Sequence, residues 1–318
     1  MRPTGKLHLG HLVGALENWV ALQDDFNNYH LIADYHALTT DPDSSEIARN
    51  SFDMVIDWLA AGINPLKSPI FRQSQIKEHA ELHLLFSMLI TAARLERNPA
   101  VKDQVRELNI ENVSYGHLGY PVLQAADILL YKGDLVPVGE DQVPHVEIAR
   151  EIARRFNNQY GTVFPEPEVR LTTFARLPGL NGAEKKMSKS ADNAILLSDP
   201  PDEIRRKMRT AVTDPLKVRK NDPGRPEVCL IFTYHRKFNP VEVTQIETDC
   251  RSGALGCVDC KMRIAARVTD TLEPFREKRK HYETHPGEVR DILADGETRA
   301  KSRARETMTD VHNAMHLG

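Results

Sequence analysis

The sequence predicts an α/β fold built on a parallel sheet and completed by a helical C-terminal part. Through the first two-thirds of the 318 residues, short apolar runs alternate with amphipathic stretches. Each run is followed by polar residues of the kind that gather at the carboxyl edge of an open sheet, where ligands bind. From about Asp199 the runs disappear, and charged helical segments continue to the end, punctuated by Pro200-Pro201, Pro223-Gly224 and Pro286-Gly287. The length leaves room for two modest domains, so the boundary is placed near 190, with units 1–190 and 191–318.

In chain order, Pro3 and Gly5 make a turn, and Leu12, Val13, Leu16 and Trp19 then form the apolar stripe of a helix. Residues 29–33, 69–71 and 135–138 read as strands. Residues 44–61 carry Ile47, Val55, Ile56 and Leu59 at helical spacing, with Asp43 or Ser44 as cap and Gly62 as stop. Residues 78–95 and 141–156 read as two further helices. No internal repeat or low-complexity tract interrupts this order.

Composition narrows the function. Hydrophobic residues make up 41% and charged residues 27% of the chain, and no apolar run approaches the roughly 20 residues that cross a bilayer, which excludes a membrane protein. Met1 to Gly5 contain no hydrophobic signal core, so the cytoplasm is the expected compartment and the cysteines are expected to be reduced or metal-bound. The net charge of -3 gives no global pull on nucleic acid. Its distribution is uneven: residues 191–318 hold 23 Lys and Arg against 21 Asp and Glu, which leaves 19 against 24 for residues 1–190. The C-terminal clusters Arg205 to Arg209, Lys217 to Lys220 and Arg276 to Lys280 are either solvated helix faces or phosphate contacts.

Two motifs carry chemistry. His8-Leu9-Gly10-His11 falls at the start of the first helix, where backbone N–H groups and the helix dipole favour phosphate. Gly10 allows close backbone approach, and the histidines, three apart, share a face. Two surface or zinc-binding histidines are the competing reading. Lys186-Met187-Ser188-Lys189-Ser190 follows Gly179 and Gly182, an approach that suits a mobile loop, and offers charges and hydroxyls to a polyphosphate.

Together the two motifs resemble the signatures of class I aminoacyl-tRNA synthetases. Arg2 to His8, Asp34 to Thr40, Tyr120 to Leu129 and Val136 to Gln142 further resemble the tryptophanyl family, over nearly the whole chain. The resemblance implies a Rossmann-like catalytic domain with a dimerising insertion and a helical anticodon-binding domain. It also implies two reactions: activation of tryptophan by ATP, carried with Mg²⁺, and transfer to tRNA(Trp). By the same resemblance His8, His11, Lys186 and Lys189 are catalytic. Arg2, Pro3, Thr4, Gly10, Met187, Ser188 and Ser190 lie around ATP, as do Gly139, Glu140, Asp141 and Leu177. Asp127 accepts the indole N–H, with Tyr120, His36, Gln124, Val136, Val138 and Gln142 around the ring. The family has a strand ahead of the position of Arg2, so the first sheet strand is expected to be missing here. A homodimer is expected from the family alone. The competing functions are the tyrosyl enzyme, a non-catalytic regulator binding tRNA or tryptophan, and a non-tRNA adenylyltransferase.

All four cysteines, Cys229, Cys250, Cys257 and Cys260, fall in one segment. Clustering of the whole inventory in a reducing compartment points to a shared thiolate site for zinc or an iron–sulfur cluster. Spacing does not separate the two metals. A bacterial subset of the resembled family carries a 4Fe-4S cluster on nearly this pattern, which makes the cluster the expectation and Zn²⁺ the alternative.

Overall fold

The computed structural model describes residues 1–171, 177–189 and 191–317. A helical run opens the chain: α1 (Leu9–His11), a π-helical turn (Leu12–Leu16) and α2 (Glu17–Leu22). β1 (His30–Ile32) leads into α3 (Asp34–Leu38) and α4 (Ile47–Ala61). β2 (Ile70–Arg72) leads into α5 (Glu78–Ser87), α6 (Ala92–Glu96), α7 (Pro99–Glu107) and α8 (Tyr115–Leu129). β3 (Leu135–Val138), α9 (Val143–Tyr160) and β4 (Glu168–Leu171) follow. The rest is helical: α10 (Pro201–Thr210), α11 (Leu230–Phe238), α12 (Val243–Arg251), α13 (Cys257–Thr284) and α14 (Pro286–Met315).

Local chemistry explains where these elements differ from expectation. α4 begins at Ile47 rather than at 44, because the Asp43 carboxylate accepts the Ser45 N–H at 2.9 Å in a turn of its own. It stops at Gly62 as expected, with φ of 109°. The single helix read over 78–95 is two, because Thr91 takes extended dihedrals and its hydroxyl caps α6 by accepting the Arg94 N–H. The helix read over 141–156 starts later, at Val143, after a 3₁₀ turn at Glu140–Gln142, and runs on to Tyr160. β4 was not foreseen: its charged residues alternate with Val169 and Leu171, and the strand is largely exposed, so no apolar run marks it.

Both strand pairs are parallel, β1 with β2 (His30 against Ile70) and β3 with β4 (Leu135 against Glu168). Among the described residues the pairs do not join into one sheet. Between them lies a cavity of about 1010 Å³, lined by Tyr29 and Leu31 on one side and Leu135 and Val136 on the other. Met1 makes one step of a parallel ladder at its edge: its N-terminal ammonium donates to the Leu31 carbonyl at 2.7 Å, and its carbonyl accepts the Ala33 N–H at 2.9 Å.

Two apolar cores bind the N- and C-terminal parts together. One runs from Leu7 and Leu9 through Trp58 and Met187 to Ile264, Leu272 and Val289. The other joins Phe71, Phe86, Ala126 and Phe156 to Ala300, Ala304 and Val311 of α14. α14 lies close on β2 at Gly296, where an added Cβ would stand 2.0 Å from the Ile70 carbonyl oxygen. Backbone cannot yield as a side chain tip can. Gly296→Ala is therefore expected to cost about 1–3 kcal/mol or more, read as a lower urea midpoint. Among the described residues no helix is long and apolar enough to cross a membrane.

Candidate nucleotide and amino-acid site

The histidine turn is joined by main-chain pairing to residues 195–197, a few positions after the lysine loop. His8 and Leu196 form an antiparallel bridge, with the Leu9 N–H donating to the Ile195 carbonyl and the Leu197 N–H to the Leu7 carbonyl, both at 2.9 Å. Leu7 and Leu9 are fully buried on either side of His8, so the histidine is fixed by its neighbours' packing. The two imidazoles meet tilted by 36° with ring centroids 3.8 Å apart, and the His8 main-chain N–H donates to His11 Nδ1 at 3.2 Å. Gly10 has a steric reason, since a Cβ there would lie 3.0 Å from the His8 ring. Burial lowers His8 to about 4 and His11 to about 3, and the nearby Lys189 and Lys186 ammoniums reinforce both shifts. Both rings are thus neutral at pH 7 and present a ring N–H to an anion without carrying charge themselves.

The described residues of the lysine loop make several packing and hydrogen-bond contacts. Met187 is buried in the first core, and the Gly10 N–H points at its sulfur at 3.4 Å. Lys186 forms a bridge with Pro178. The pin is Asn193, which the sequence reading missed: its oxygen accepts the Ser188 N–H at 2.7 Å, and its amide donates to Asn181 and to the Lys186 carbonyl. A lone Asn after a lysine run leaves no pattern to find. Lys189 reaches back to donate to the Thr4 carbonyl, which brings it over the histidine turn. Ser190 lies outside the described residues.

The amino-acid residues gather around Asp127 on α8. Its carboxylate accepts from His36 Nε2 at 2.8 Å and from Gln73 Nε2 at 2.6 Å, and His79 Nδ1 lies 2.8 Å away without the alignment of a hydrogen bond. Burial alone would raise this carboxyl, but the adjoining His36 and His79 imidazoles hold it well below the ordinary range. His79 in turn meets the Tyr131 hydroxyl at 2.8 Å. Asp127 is thus a helix aspartate held by a nearby base. A carboxylate offers about four acceptor positions, so two protein donors leave others open.

Tyr120, Gln124, Asp127, Val136 and Gln142 line the same cavity, and the Tyr120 hydroxyl meets His145 Nε2 at 3.1 Å. His36 acts from behind, through Asp127. Val138, at the end of β3, is half-buried and is not part of the cavity wall. Gly139, Glu140 and Asp141 form the turn after β3, with both acids exposed. Leu177 is buried in the first core, so its side chain faces away from any nucleotide. Arg2 is largely exposed and lies on the cavity wall, while Pro3 is buried behind it.

The four cysteines are free and half-buried. Burial, then Cys229, Cys250 and Cys257 nearby, pushes the Cys260 thiol up to about 12. They are neighbours, yet among the described residues no three His, Cys, Asp or Glu side chains are placed to hold a metal ion, so the expected ligand set is not closed. The physical reason is visible at Cys260, whose sulfur meets His235 Nε2 at 3.3 Å instead.

The model of class I tRNA synthetases for W and Y matches residues 1–273 of the chain. The chain is 48% identical to the tryptophan–tRNA ligase of Thermotoga maritima over 322 residues, covering 100% of this chain and 98% of that one. With the ligase of Aquifex aeolicus the identity is 42% over 390 residues, covering 100% and 98%. Among solved structures, the tryptophanyl-tRNA synthetase of Campylobacter jejuni complexed with ADP and tryptophan superposes with a TM-score of 0.88 at 34% identity, covering 100% and 98%.

Proposed function

The chain belongs to the class I tRNA synthetase family of the tryptophan and tyrosine enzymes, and we propose that its histidine turn and lysine loop hold ATP while the cavity ending on Asp127 takes tryptophan. The activity is that of an ATP-dependent tryptophan–tRNA ligase. A carboxylate oxygen of tryptophan attacks the α-phosphorus of ATP and pyrophosphate leaves; a terminal ribose hydroxyl of tRNA(Trp) then attacks the acyl carbon of the adenylate, loses its proton and expels AMP.

The observation that carries the site assignment is the His8–Leu196 bridge, which sets the lysines over the paired histidines. Adenylation gathers charge at a congested phosphorus, so positioned donors do most of the work. Neutral His8 and His11 offer N–H groups, and Lys186 and Lys189 offer charge. Mg²⁺ arrives on the phosphates rather than in a protein cage. Tryptophan-dependent pyrophosphate exchange, followed by aminoacylation of total tRNA, tests the reading. Exchange with tyrosine but not tryptophan would transfer the assignment to the sister enzyme, and exchange with neither would favour a regulator. The curated relatives named above are tryptophan ligases, which favours tryptophan.

The finer assignments rest on chemistry. We place anticodon contacts in residues 191–318, the basic part of the chain. A second copy suits the insertion, where Leu84, Met88, Leu108, Val113 and Tyr115 are exposed together along 84–115. Residence in the cytoplasm fits the four free thiols. For those thiols we propose a 4Fe-4S cluster with zinc as the alternative, the donor set being right in kind and in neighbourhood. Anaerobically purified protein is expected to be brown with broad absorption near 400 nm, a number of order set by thiolate-to-iron charge transfer in such clusters. Colourless protein with stoichiometric zinc would decide for the alternative.

A further inference from the structure

A polar face of α4 with a buried aspartate at its centre lies under the histidine turn and is held from the other side by α13. Asn50, Asp53 and Asp57, spaced by three and four residues, share one face of that helix. Asp57 is fully buried, and its Oδ2 accepts the Leu7 N–H at 2.7 Å, immediately before His8. Its Oδ1 accepts from Nη1 of Arg279, a guanidinium on α13 that is itself buried. Arg279 also reaches Asp53 Oδ1 at 3.4 Å and Glu283 Oε1 at 3.0 Å. Asn50 Oδ1 stands 3.0 Å from the place a Cβ would take on Gly5, beside Lys189 Nζ at 3.5 Å. Asp57 and Asp53 attract the Lys189 ammonium, working against the burial that lowers its pKa. One polar face therefore meets the histidine turn, the lysine loop and the C-terminal helix together.

Resting on the assignment of ATP to the histidine turn, we propose that Asp57 and Arg279 are a positioning pair for adenylation, through which α13 fixes the main chain at His8 and the seat of Lys189. A buried ion pair needs such a reason. Apolar replacements of similar volume often match or exceed its stability, so stability alone does not call for it. What an apolar pair cannot do is accept the Leu7 N–H and attract Lys189 at once. Neither residue touches the amino-acid cavity, whose wall is drawn from other elements. The effect is therefore confined to ATP.

The test compares Arg279→Gln, Arg279→Lys and Asp57→Asn with the full-length wild type in pyrophosphate exchange. Arg279→Gln and Asp57→Asn are expected to lower kcat/KM for ATP about 10- to 100-fold, as small misplacements of reacting groups do, and to leave the KM for tryptophan within about twofold. Arg279→Lys, which keeps the charge, is expected to restore most of the loss. Equal losses for ATP and tryptophan that follow the folded fraction by circular dichroism would reduce the pair to a structural one, and wild-type kinetics in Arg279→Gln would overturn it outright. If one variant does not fold, the other decides by the same split. Absence of exchange in the wild type would count against the proposed function instead. ATP affinity by equilibrium dialysis, wild type against Asp57→Asn, then judges the positioning pair by itself: an unchanged Kd overturns it.

Discussion

Lys189→Ala is expected to slow tryptophan-dependent adenylate formation at least about 10²- to 10³-fold, the usual cost of deleting one donor aimed at developing charge. The side chain is placed for that role. Its ammonium lies over the histidine turn at the Thr4 carbonyl, and burial lowers its pKa while Asp57 and Asp53 hold the charged form. Loss of the side chain opens no core cavity, since the loop is fixed elsewhere, by buried Met187 and by the hydrogen bonds of Asn193. The urea midpoint should therefore stay close to wild type while the exchange rate falls. Single-turnover measurement separates this from a binding defect: the loss should sit in the rate at saturating ATP rather than in KM alone. An exchange rate equal to wild type would remove Lys189 from the chemistry and, with it, the main reason for reading the loop as catalytic.

What was legible in the sequence was local. The histidine turn, the stop at Gly62 and the three strands over 29–33, 69–71 and 135–138 follow from spacing and from residues whose backbone preferences are strong. The partners of the functional groups were not legible, because they are long-range and leave no period. Asn193 pins the lysine loop through three hydrogen bonds to main chain and to Asn181. His79 and Gln73 hold Asp127 from helical turns more than 45 residues away, reckoned from the numbering. Asp57 did leave a signal, as a charged residue within the apolar run Met54 to Leu59 of a helix, and a buried partner such as Arg279 is what such an acid requires. Gly179, ahead of the lysine loop, serves close approach, since a Cβ there would fall 2.3 Å from the Asn193 amide nitrogen.

Asp127→Asn is expected to lower the discrimination between tryptophan and phenylalanine by about 10-fold or more. A site that hydrogen-bonds a substrate N–H can reject the analogue lacking it by about 10⁴- to 10⁵-fold, because the buried acceptor is left short of a donor. Asp127 is an unusual acceptor in that His36 and Gln73 already donate to it in the free protein, with His79 alongside. The indole N–H therefore either takes a remaining lone-pair position or displaces His36, which stands behind Asp127 with its ring 6.4 Å from that of Tyr120 on the cavity wall. In both cases the anion is prepared before tryptophan arrives, since its donors hold the carboxyl ionised well below neutral pH despite burial. Asn keeps the volume but brings an N–H₂ group into a ring of donors, so one of His36, His79 or Gln73 must turn away or change tautomer. The charged hydrogen bond is worth about 1.5–3 kcal/mol, which sets a loss of at least about 10-fold in kcat/KM for tryptophan. Phenylalanine makes no such bond and should lose little, so the ratio of the two kcat/KM values falls. That ratio, measured by pyrophosphate exchange at matched folded fraction, is the decisive quantity. If it is unchanged in Asp127→Asn, the aspartate holds α8 to its histidines and does no more, and the indole must be read by another group on the wall, with Gln124 and Gln142 the polar candidates that face the same cavity.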